Sequence, residues 1–155
     1  MKNFQKEYAA YTASEKKVNE IYHRIAVQMD APDSVLWTLY CLCDGETQHT
    51  QNSIAQMLSV PKQTINSAVS NLLKDGYVYL QQLPVGKNNK QILLTEKGVA
   101  LCAEQIAPVI HAEDRAFNRL SEDEQKIFLS VGMKHNQFML EELQVLLLAK
   151  RGEDI

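Results

Sequence analysis

Apolar residues recur at spacings near 3.5 positions, or twice that, from residue 4 to residue 29, which predicts an amphipathic helix of about 25 residues. This apolar stripe consists of Phe4, Tyr8, Tyr11, Val18, Ile21, Ile25 and Met29. The helix is expected to end at residues 30–32, because Pro32 disfavours helical geometry in the residue before it. Pro32 then suits an early position of a second helix that ends near Gly45. The apolar face of that second helix is formed by Val35, Leu36, Leu39 and Cys43.

Two short helices joined by a tight turn are predicted next. Thr50 is placed to cap the first of them, which carries Ile54, Ala55 and Leu58. Residues 59–61 form the connection, and Pro61 starts the second helix, which ends at Gly76. The buried side of this second helix is predicted to hold Ile65, Ala68, Val69, Leu72 and Leu73. Two short helices in this arrangement form a helix-turn-helix.

After Gly76 the pattern changes from helical to extended. Residues 77–80 (YVYL) and 92–94 (ILL) are rich in strand-forming side chains, and residues 84–90 between them are turn formers and lysines. This segment predicts a β-hairpin with a basic tip. Thr95 then caps a helix that runs to about residue 118, with a kink expected at Pro108.

A capping-box pattern at residues 121–124 (SEDE) opens the last helix. Its apolar positions include Ile127, Phe128, Val131, Phe138, Met139, Leu143, Leu146 and Leu147. The fold class predicted from the whole pattern is mainly α with a small β-hairpin wing. A winged helix-turn-helix at residues 32–98 is flanked by long helical regions at residues 1–30 and 99–150, which together form a single chain-length domain.

Charge is distributed unevenly along the 155 residues. The chain has a formal net charge of -3, yet residues 51–97 carry five lysines and two acids, a net charge of +3. A basic middle between acidic flanks favours a DNA-reading module on an otherwise acidic scaffold, although five lysines in such a segment are also compatible with chance. The 45% content of hydrophobic residues is sufficient for a packed core.

Charged residues throughout the first thirty positions leave no apolar segment of a secretory signal, and no run approaches the roughly 20 apolar residues of a membrane-spanning helix. The three cysteines cannot all pair within one chain, which favours a reducing compartment. The expected location is therefore the cytoplasm.

The exposed side of the helix that follows Pro61 is the most informative surface. It carries amides, hydroxyls and lysines and no acid before Asp75, so it can bind base edges and phosphates without repelling the DNA backbone. An ordinary solvated helix face is the alternative, but such faces usually carry glutamates. The predicted DNA contacts of this helix are Pro61, Lys62, Gln63, Thr64, Asn66, Ser67, Ser70, Asn71 and Lys74.

The hairpin tip supplies a second set of candidate contacts. Lys87, Asn88, Asn89 and Lys90 are placed to reach the adjacent minor groove or its phosphates. A polar surface turn is the alternative for such a segment taken alone. Its position directly after a helix-turn-helix makes the wing interpretation specific.

Three segments resemble the DNA-reading block of multiple-antibiotic-resistance (MarR) regulators. They are residues 50–58 (TQNSIAQML), residues 64–73 followed by 75–78 (DGYV), and residues 94–98 (LTEKG). The resemblance covers nearly the whole chain. It implies a homodimer whose terminal helices interlock and a repressor that binds a pseudo-palindromic operator. One departure is that residues 86–88 are Gly-Lys-Asn where family wings commonly carry Asp-Arg-Arg, so Lys87 lacks the planar fork of arginine.

The long first and last helices suit dimerisation, because their apolar stripes have no partner within a small helix-turn-helix core. Packing within the chain is the alternative. The resemblance also implies release of DNA by a small-molecule effector, with aromatic walls and one cation suited to a small aromatic acid or phenol. The candidate residues, which core and interface packing would also explain, are Tyr11, Tyr22, His23, Trp37, Tyr40 and Arg115.

The sequence gives little support for redox, metal-binding or catalytic chemistry. Cys41 and Cys43 are two residues apart on a helix, point in different directions and do not easily bridge, so buried structural thiols are expected. There is no recognised metal-ligand spacing, Gly-rich phosphate loop or nucleophile elbow, and no cofactor, metal or enzymatic activity is expected. The rival functions are a winged-helix module for protein–protein contact without DNA binding, and a thiol-based redox sensor.

Overall fold

The computed structural model describes residues 2–43, 48–84 and 90–151, and side chains between residues 4 and 149 within those ranges. The chain divides into two compact units, residues 1–109 and 110–155. The elements are α1 (Lys2–Gln28), α2 (Asp33–Leu42), α3 (Gln51–Met57), α4 (Lys62–Lys74), β1 (Val78–Gln82), β2 (Lys90–Leu94), α5 (Glu96–Leu101), a π-helical turn (Cys102–Ile106), α6 (Ala107–Phe117) and α7 (Glu122–Arg151). The predicted fold class, mainly α with one hairpin, is confirmed.

Helix α1 ends at Gln28, before the predicted residues 30–32, and α2 begins one residue after Pro32, which was predicted to lie inside it. Asp30 has a left-handed φ of 52°, and the N–H of Ala31 donates to the carbonyl of Ala26 at 3.0 Å, which ends α1. Pro32 is extended and precedes the first turn of α2 as its cap rather than lying inside it. Helix α2 packs against both α1 and α4, and its buried side chains are Val35, Leu36, Thr38, Leu39, Cys41 and Leu42.

Helices α3 and α4 form the predicted helix-turn-helix. Thr50 caps α3, with its hydroxyl accepting from the N–H of Ser53 at 3.1 Å and its own N–H donating to the Ser53 hydroxyl at 2.8 Å. Ser59, with φ 53°, turns the chain before α4. Gly76, with φ 74°, closes α4 in a Schellman motif, in which its N–H donates to Leu73 and that of Tyr77 donates to Leu72.

The buried side of α4 holds four of the five predicted residues: Ile65, Ala68, Val69 and Leu72. The prediction was wrong for Leu73, which is 37% exposed. At 100° per residue, Leu73 lies on the edge of the apolar face rather than at its centre. Consecutive leucines at the end of a helix therefore do not share the same environment here.

The hairpin pairs β1 with β2 in antiparallel register, from Val78 opposite Leu94 to Gln82 opposite Lys90. The strands extend further toward the tip than the sequence predicts, since Lys90 already lies in β2. A short third segment completes the sheet edge. Thr50 bridges Gln91, and the N–H of Ile92 donates to the carbonyl of His49 at 2.8 Å. The start of the helix-turn-helix is thereby hydrogen-bonded to the base of the hairpin.

The helix that follows Thr95 was predicted to kink at Pro108, and the structure has a π-helical turn at Cys102–Ile106, directly upstream of that proline. The N–H of Ala107 donates to the carbonyl of Cys102, five residues back. Proline has no N–H for the carbonyl four residues before it, and its ring crowds that carbonyl. A wider turn directly upstream accommodates both effects. Cys102 and Ile106 are the buried residues of this turn.

In the second unit, α7 begins at the predicted capping box. The Glu124 carboxylate accepts from the N–H of Ser121 at 2.8 Å, and the Ser121 hydroxyl accepts from the N–H of Glu124 at 3.4 Å. The rings of Phe117 and Phe128 pack edge to face at 6.2 Å. Within the described ranges, no helix is both long enough and apolar enough to cross a membrane.

Candidate nucleic-acid interface

The face of α4 opposite its buried side is exposed and polar. Gln63, Ser67, Ser70 and Lys74 lie along it, one turn apart, as the helical period requires. The Ser67 hydroxyl donates to the carbonyl of Gln63 at 3.0 Å, and that of Ser70 donates to the carbonyl of Asn66 at 2.8 Å. Both oxygens remain able to accept a hydrogen bond from outside the helix.

The charged residues on this face of α4 are all positive. Lys62 opens α4, Lys74 ends it, and both side chains are exposed. The twelve positions from 62 to 73 contain no acid, and Asp75 is the residue that caps the helix. A helix N-terminus also offers unpaired N–H groups, which favour a phosphate. The face therefore combines hydrogen-bonding side chains with positive charge at both ends.

Two of the three residues that flank this face are less accessible than those at its centre. Thr64 and Asn66 are half-buried, and the Asn66 side-chain oxygen is covered, with no hydrogen-bond donor reaching it from the part of the chain that the structure describes. Reading adenine requires both the oxygen and the nitrogen of a side-chain amide. Gln63 and Asn66 are both among the predicted DNA contacts, and the structure favours Gln63 over Asn66 for a contact of this kind. Asn71 is exposed on the flank away from Asn66, and Pro61 is exposed at the turn.

The wing is described only as far as its base. Lys90 is exposed in β2, opposite Gln82 of β1. Because the His49 carbonyl accepts a hydrogen bond from Ile92 of β2 and Thr50 pairs with Gln91, the wing base and the N-terminus of α3 have a fixed relation. The predicted contacts Lys87, Asn88 and Asn89 lie outside the described residues.

Residues 94–98, one of the three segments that resemble MarR regulators, follow the hairpin and contact the end of α4. The Thr95 hydroxyl donates to the carbonyl of Gly76 at 2.7 Å, and its N–H donates to that of Tyr77 at 3.0 Å. The Lys97 ammonium donates to the carbonyl of Asp75 at 2.7 Å and lies 4.3 Å from the centre of the Tyr77 ring. Lys97, one of the five lysines of residues 51–97, therefore stabilises the junction between the end of α4 and the start of α5.

Three of the six predicted effector residues come together. Trp37 packs against Tyr22 with ring centres 4.8 Å apart and against Tyr40 at 5.5 Å. His23 Nδ1 instead lies 2.8 Å from a carboxylate oxygen of Asp33, where both side chains are exposed. The Tyr11 hydroxyl donates to Glu15, three turns before Tyr22 on α1. Arg115 belongs to α6 in the second unit. An effector role for these residues stays a prediction.

A cavity of about 280 Å³ lies in the first unit, away from that aromatic group. Its lining residues are Met29, Asp30, Ala31, Pro32, Val35, Leu39, Asn71, Leu72, Asp75, Tyr77 and Leu101. Across the described ranges, no three His, Cys, Asp or Glu side chains are grouped closely enough to hold a metal ion.

Solved structures with the same fold are regulators of transcription. A MarR family regulator from Neisseria meningitidis is 19% identical with a TM-score of 0.70, and the match covers 90% of this chain and 96% of that one. A MarR family transcriptional regulator from Listeria monocytogenes, complexed with a 26mer DNA, is 19% identical with a TM-score of 0.69 and 96% coverage of both chains. A variant of MepR from S. aureus, bound to an oligodeoxyribonucleotide, is 23% identical with a TM-score of 0.53 and coverage of 88% and 97%.

No family defined from sequence matches the chain, and no curated protein matches it. The class that the fold defines is the winged helix-turn-helix protein with long terminal helices. The predicted resemblance to MarR regulators is confirmed at the level of the fold over about nine-tenths of the chain.

Proposed function

We propose that this chain is a DNA-binding transcriptional regulator, rather than an enzyme, in which α4 is the recognition helix. The observation that carries the proposal is the exposed face of α4, which has Gln63, Ser67 and Ser70 at its centre, a lysine at each end and no acid between them. A helix of this kind reads base edges in the major groove while lysines contact phosphates. The DNA held by the Listeria and S. aureus proteins of the same fold supports the proposal.

The acting form is a homodimer. Leu129, Met133, Leu140, Leu143 and Leu147 lie on one side of α7 at helical spacing, and all are exposed in the single chain. Exposed apolar residues on α1 include Phe4, Val18 and Ile21. Apolar surface of this extent marks a protein–protein interface. A two-fold dimer would present two copies of α4 to two half-sites of a pseudo-palindromic operator, spaced by about one turn of DNA.

The regulator acts in the cytoplasm as a repressor that a small aromatic or phenolic effector releases. The packed group of Tyr22, Trp37 and Tyr40 supplies an aromatic surface between α1 and α2. The dimer has a conformation in which the two α4 helices are spaced for the operator and another in which they are not. An effector that binds the second conformation more tightly increases its population and so releases DNA. By linkage, DNA then lowers effector affinity by the same factor. An effector with equal affinity for free and DNA-bound protein would contradict this mechanism.

The alternative function is a winged-helix module for protein–protein contact. The net charge of -3 favours it, because an acidic surface does not attract nucleic acid in general. The acid-free face of α4 is the specific observation against it. A thiol-based sensor that does not bind DNA is a further alternative.

The test is binding of the purified protein to duplex DNA from the region upstream of its own gene, followed by fluorescence anisotropy. A random duplex of equal length is the matched control, and sedimentation gives the stoichiometry. The proposal predicts one dimer per duplex and an affinity roughly 10³-fold or more above that for the random duplex. Equal affinity for upstream and random duplexes, together with equal affinity for duplexes selected from a random pool, would overturn it.

A further inference from the structure

The four arginines of the chain all lie outside residues 32–98, the segment that forms the winged helix-turn-helix. They are Arg24, Arg115, Arg119 and Arg151. Arginine makes the commonest specific contact with guanine, because its planar fork donates to the O6 and N7 acceptors together. Recognition of guanine by α4 would therefore depend on a lysine.

The two lysines of α4 are displaced from the first turns of its exposed face. Lys62 lies about 100° around the helix from Gln63 and so to one side of it. Lys74 lies below the same face, but about 16 Å further along the helix axis, in the last turn. The residues near the N-terminus of a recognition helix are those that contact base edges. Both lysines are thus placed for phosphates rather than for the base that Gln63 contacts.

Gln63 has the side chain and the position for adenine. It is the second residue of α4 and is exposed, and no hydrogen bond engages its side-chain amide within the part of the chain that the structure describes. An amide presents a donor and an acceptor together, which match the N7 and the N6 amino group of adenine. The oxygen of Asn66 is covered, and Asn71 lies about 80° around the helix from Gln63.

The two serines of the face are set to accept rather than to donate. Each hydroxyl has one proton, and that proton is used within the helix: Ser67 donates to the Gln63 carbonyl at 3.0 Å, and Ser70 donates to the Asn66 carbonyl at 2.8 Å. The donors in the major groove are the amino groups of adenine and cytosine, whereas guanine and thymine present acceptors there. The serines therefore favour adenine or cytosine at the bases they face.

We propose that the exposed face of α4 reads amino groups in the major groove, and that Gln63 selects an adenine in each half-site. The Gln63 amide donates to N7 of that adenine and accepts from its N6 amino group, while Ser67 accepts from the amino group of a nearby base. This inference rests on the proposed function, in which α4 is the recognition helix, and adds the base that it selects. In a two-fold dimer the two adenines occupy symmetry-related positions.

The test selects duplexes from a random pool with the wild-type protein and with Gln63→Ala, and compares the bound sequences. The wild type should require adenine at one position of each half-site. Gln63→Ala should accept all four bases there and keep the rest of the sequence. Replacing that adenine should weaken wild-type binding about 5- to 100-fold in fluorescence anisotropy, and the loss should disappear in the variant. Gln56→Ala removes an exposed amide from α3 and should keep the adenine preference.

A base analogue separates a direct contact from an effect of DNA shape. The base 7-deazaadenine keeps its pairing with thymine but lacks N7. At the selected position it should weaken wild-type binding roughly 3- to 10-fold, as the loss of one hydrogen bond predicts, and should leave Gln63→Ala binding unchanged. A preference that came from the shape of A·T-rich DNA would survive in both proteins.

The inference is overturned if the wild type and Gln63→Ala select the same base at every position, if guanine is the base whose selection is lost, or if 7-deazaadenine binds the wild type as well as adenine does. In these cases the wild-type protein still selects a sequence, so the proposed function stands. A wild-type protein that enriches no sequence would overturn the proposed function together with this inference. Gln63 lies on an exposed helix surface, so its replacement by alanine leaves the core of the helix-turn-helix unchanged.

Discussion

Gly98 lies so close to Tyr77 that a Cβ built on it would be 2.0 Å from the Tyr77 carbonyl oxygen. Real Cβ atoms do not approach backbone oxygens to that distance, and the carbonyl cannot retreat, because it accepts the N–H of Thr95 at 3.0 Å. Position 98 therefore admits only glycine at this geometry. The contact joins the first turn of α5 to the end of α4.

Gly98→Ala should lower the free energy of unfolding by about 3 kcal/mol, at the upper end of typical overpacking costs. Gly132→Ala is the matched control, because a Cβ there meets no atom within 4 Å. That change should raise the free energy of unfolding by roughly 0.5–1 kcal/mol through the helix propensity of alanine. Urea unfolding of the two variants measures both values. Equal stability of Gly98→Ala and the wild type would show that the close approach is not a constraint.

The capping box of α7 predicts a specific titration. Hydrogen bonds from the backbone N–H of Ser121 and then from its hydroxyl hold the pKa of Glu124 below its ordinary value. A carboxyl group with a lowered pKa in the folded state adds stability above its unfolded pKa and loses it as the pH falls through the folded pKa. The first turn of α7 should therefore begin to fray as the pH falls below the pKa of an unfolded glutamate, about 4.3, and fray fully only once the pH is below the lowered pKa of Glu124 in the folded state.

Carbon-detected NMR of the Glu124 carboxylate measures this pKa. Glu124→Gln is the matched control, since its amide oxygen can still accept the Ser121 hydrogen bonds but does not titrate. In this variant, the protection of the amides at the start of α7 from hydrogen exchange, relative to an unstructured peptide at the same pH, should no longer decrease on acidification. A Glu124 pKa at or above that of a glutamate in an unfolded peptide would contradict the capping geometry.

The apolar stripe on α7 predicts the effect of charge on assembly. Leu147→Glu should weaken the proposed dimer at least tenfold, because full burial of a leucine contributes about 1.5–3 kcal/mol and the change occurs in both chains. Ala149→Glu adds the same charge on the other side of the helix and should leave the association unchanged. Analytical ultracentrifugation over a range of concentrations gives both constants. A monomeric wild-type protein, or equal effects of the two changes, would exclude this stripe as the interface.

Local signals in the sequence were sufficient for most of the fold. Thr50, Thr95 and Ser121 each cap the helix they were predicted to cap, and Gly76 ends α4 with a positive φ. These features depend on residues within four positions of one another, so periodicity and capping rules capture them.

Contacts between distant segments were not predictable in the same way. The contact of Lys97 with the Asp75 carbonyl and the covered side-chain oxygen of Asn66 depend on how α4 packs with its neighbours. Leu73 shows the same limit, because a helical wheel separates the sides of a helix but does not fix how far a neighbouring element reaches around it.

The central claim is that the exposed face of α4 binds DNA, and the salt dependence of binding by a double variant tests it most directly. Lys62→Ala with Lys74→Ala should weaken binding and reduce the slope of log K against log salt by roughly 1 for each lysine that contacts a phosphate, up to about 4 per dimer. Lys16→Ala with Lys17→Ala removes the same charge from exposed positions of α1 and should preserve the slope. If both double variants keep the wild-type slope, or both change it equally, α4 is not the element that contacts DNA.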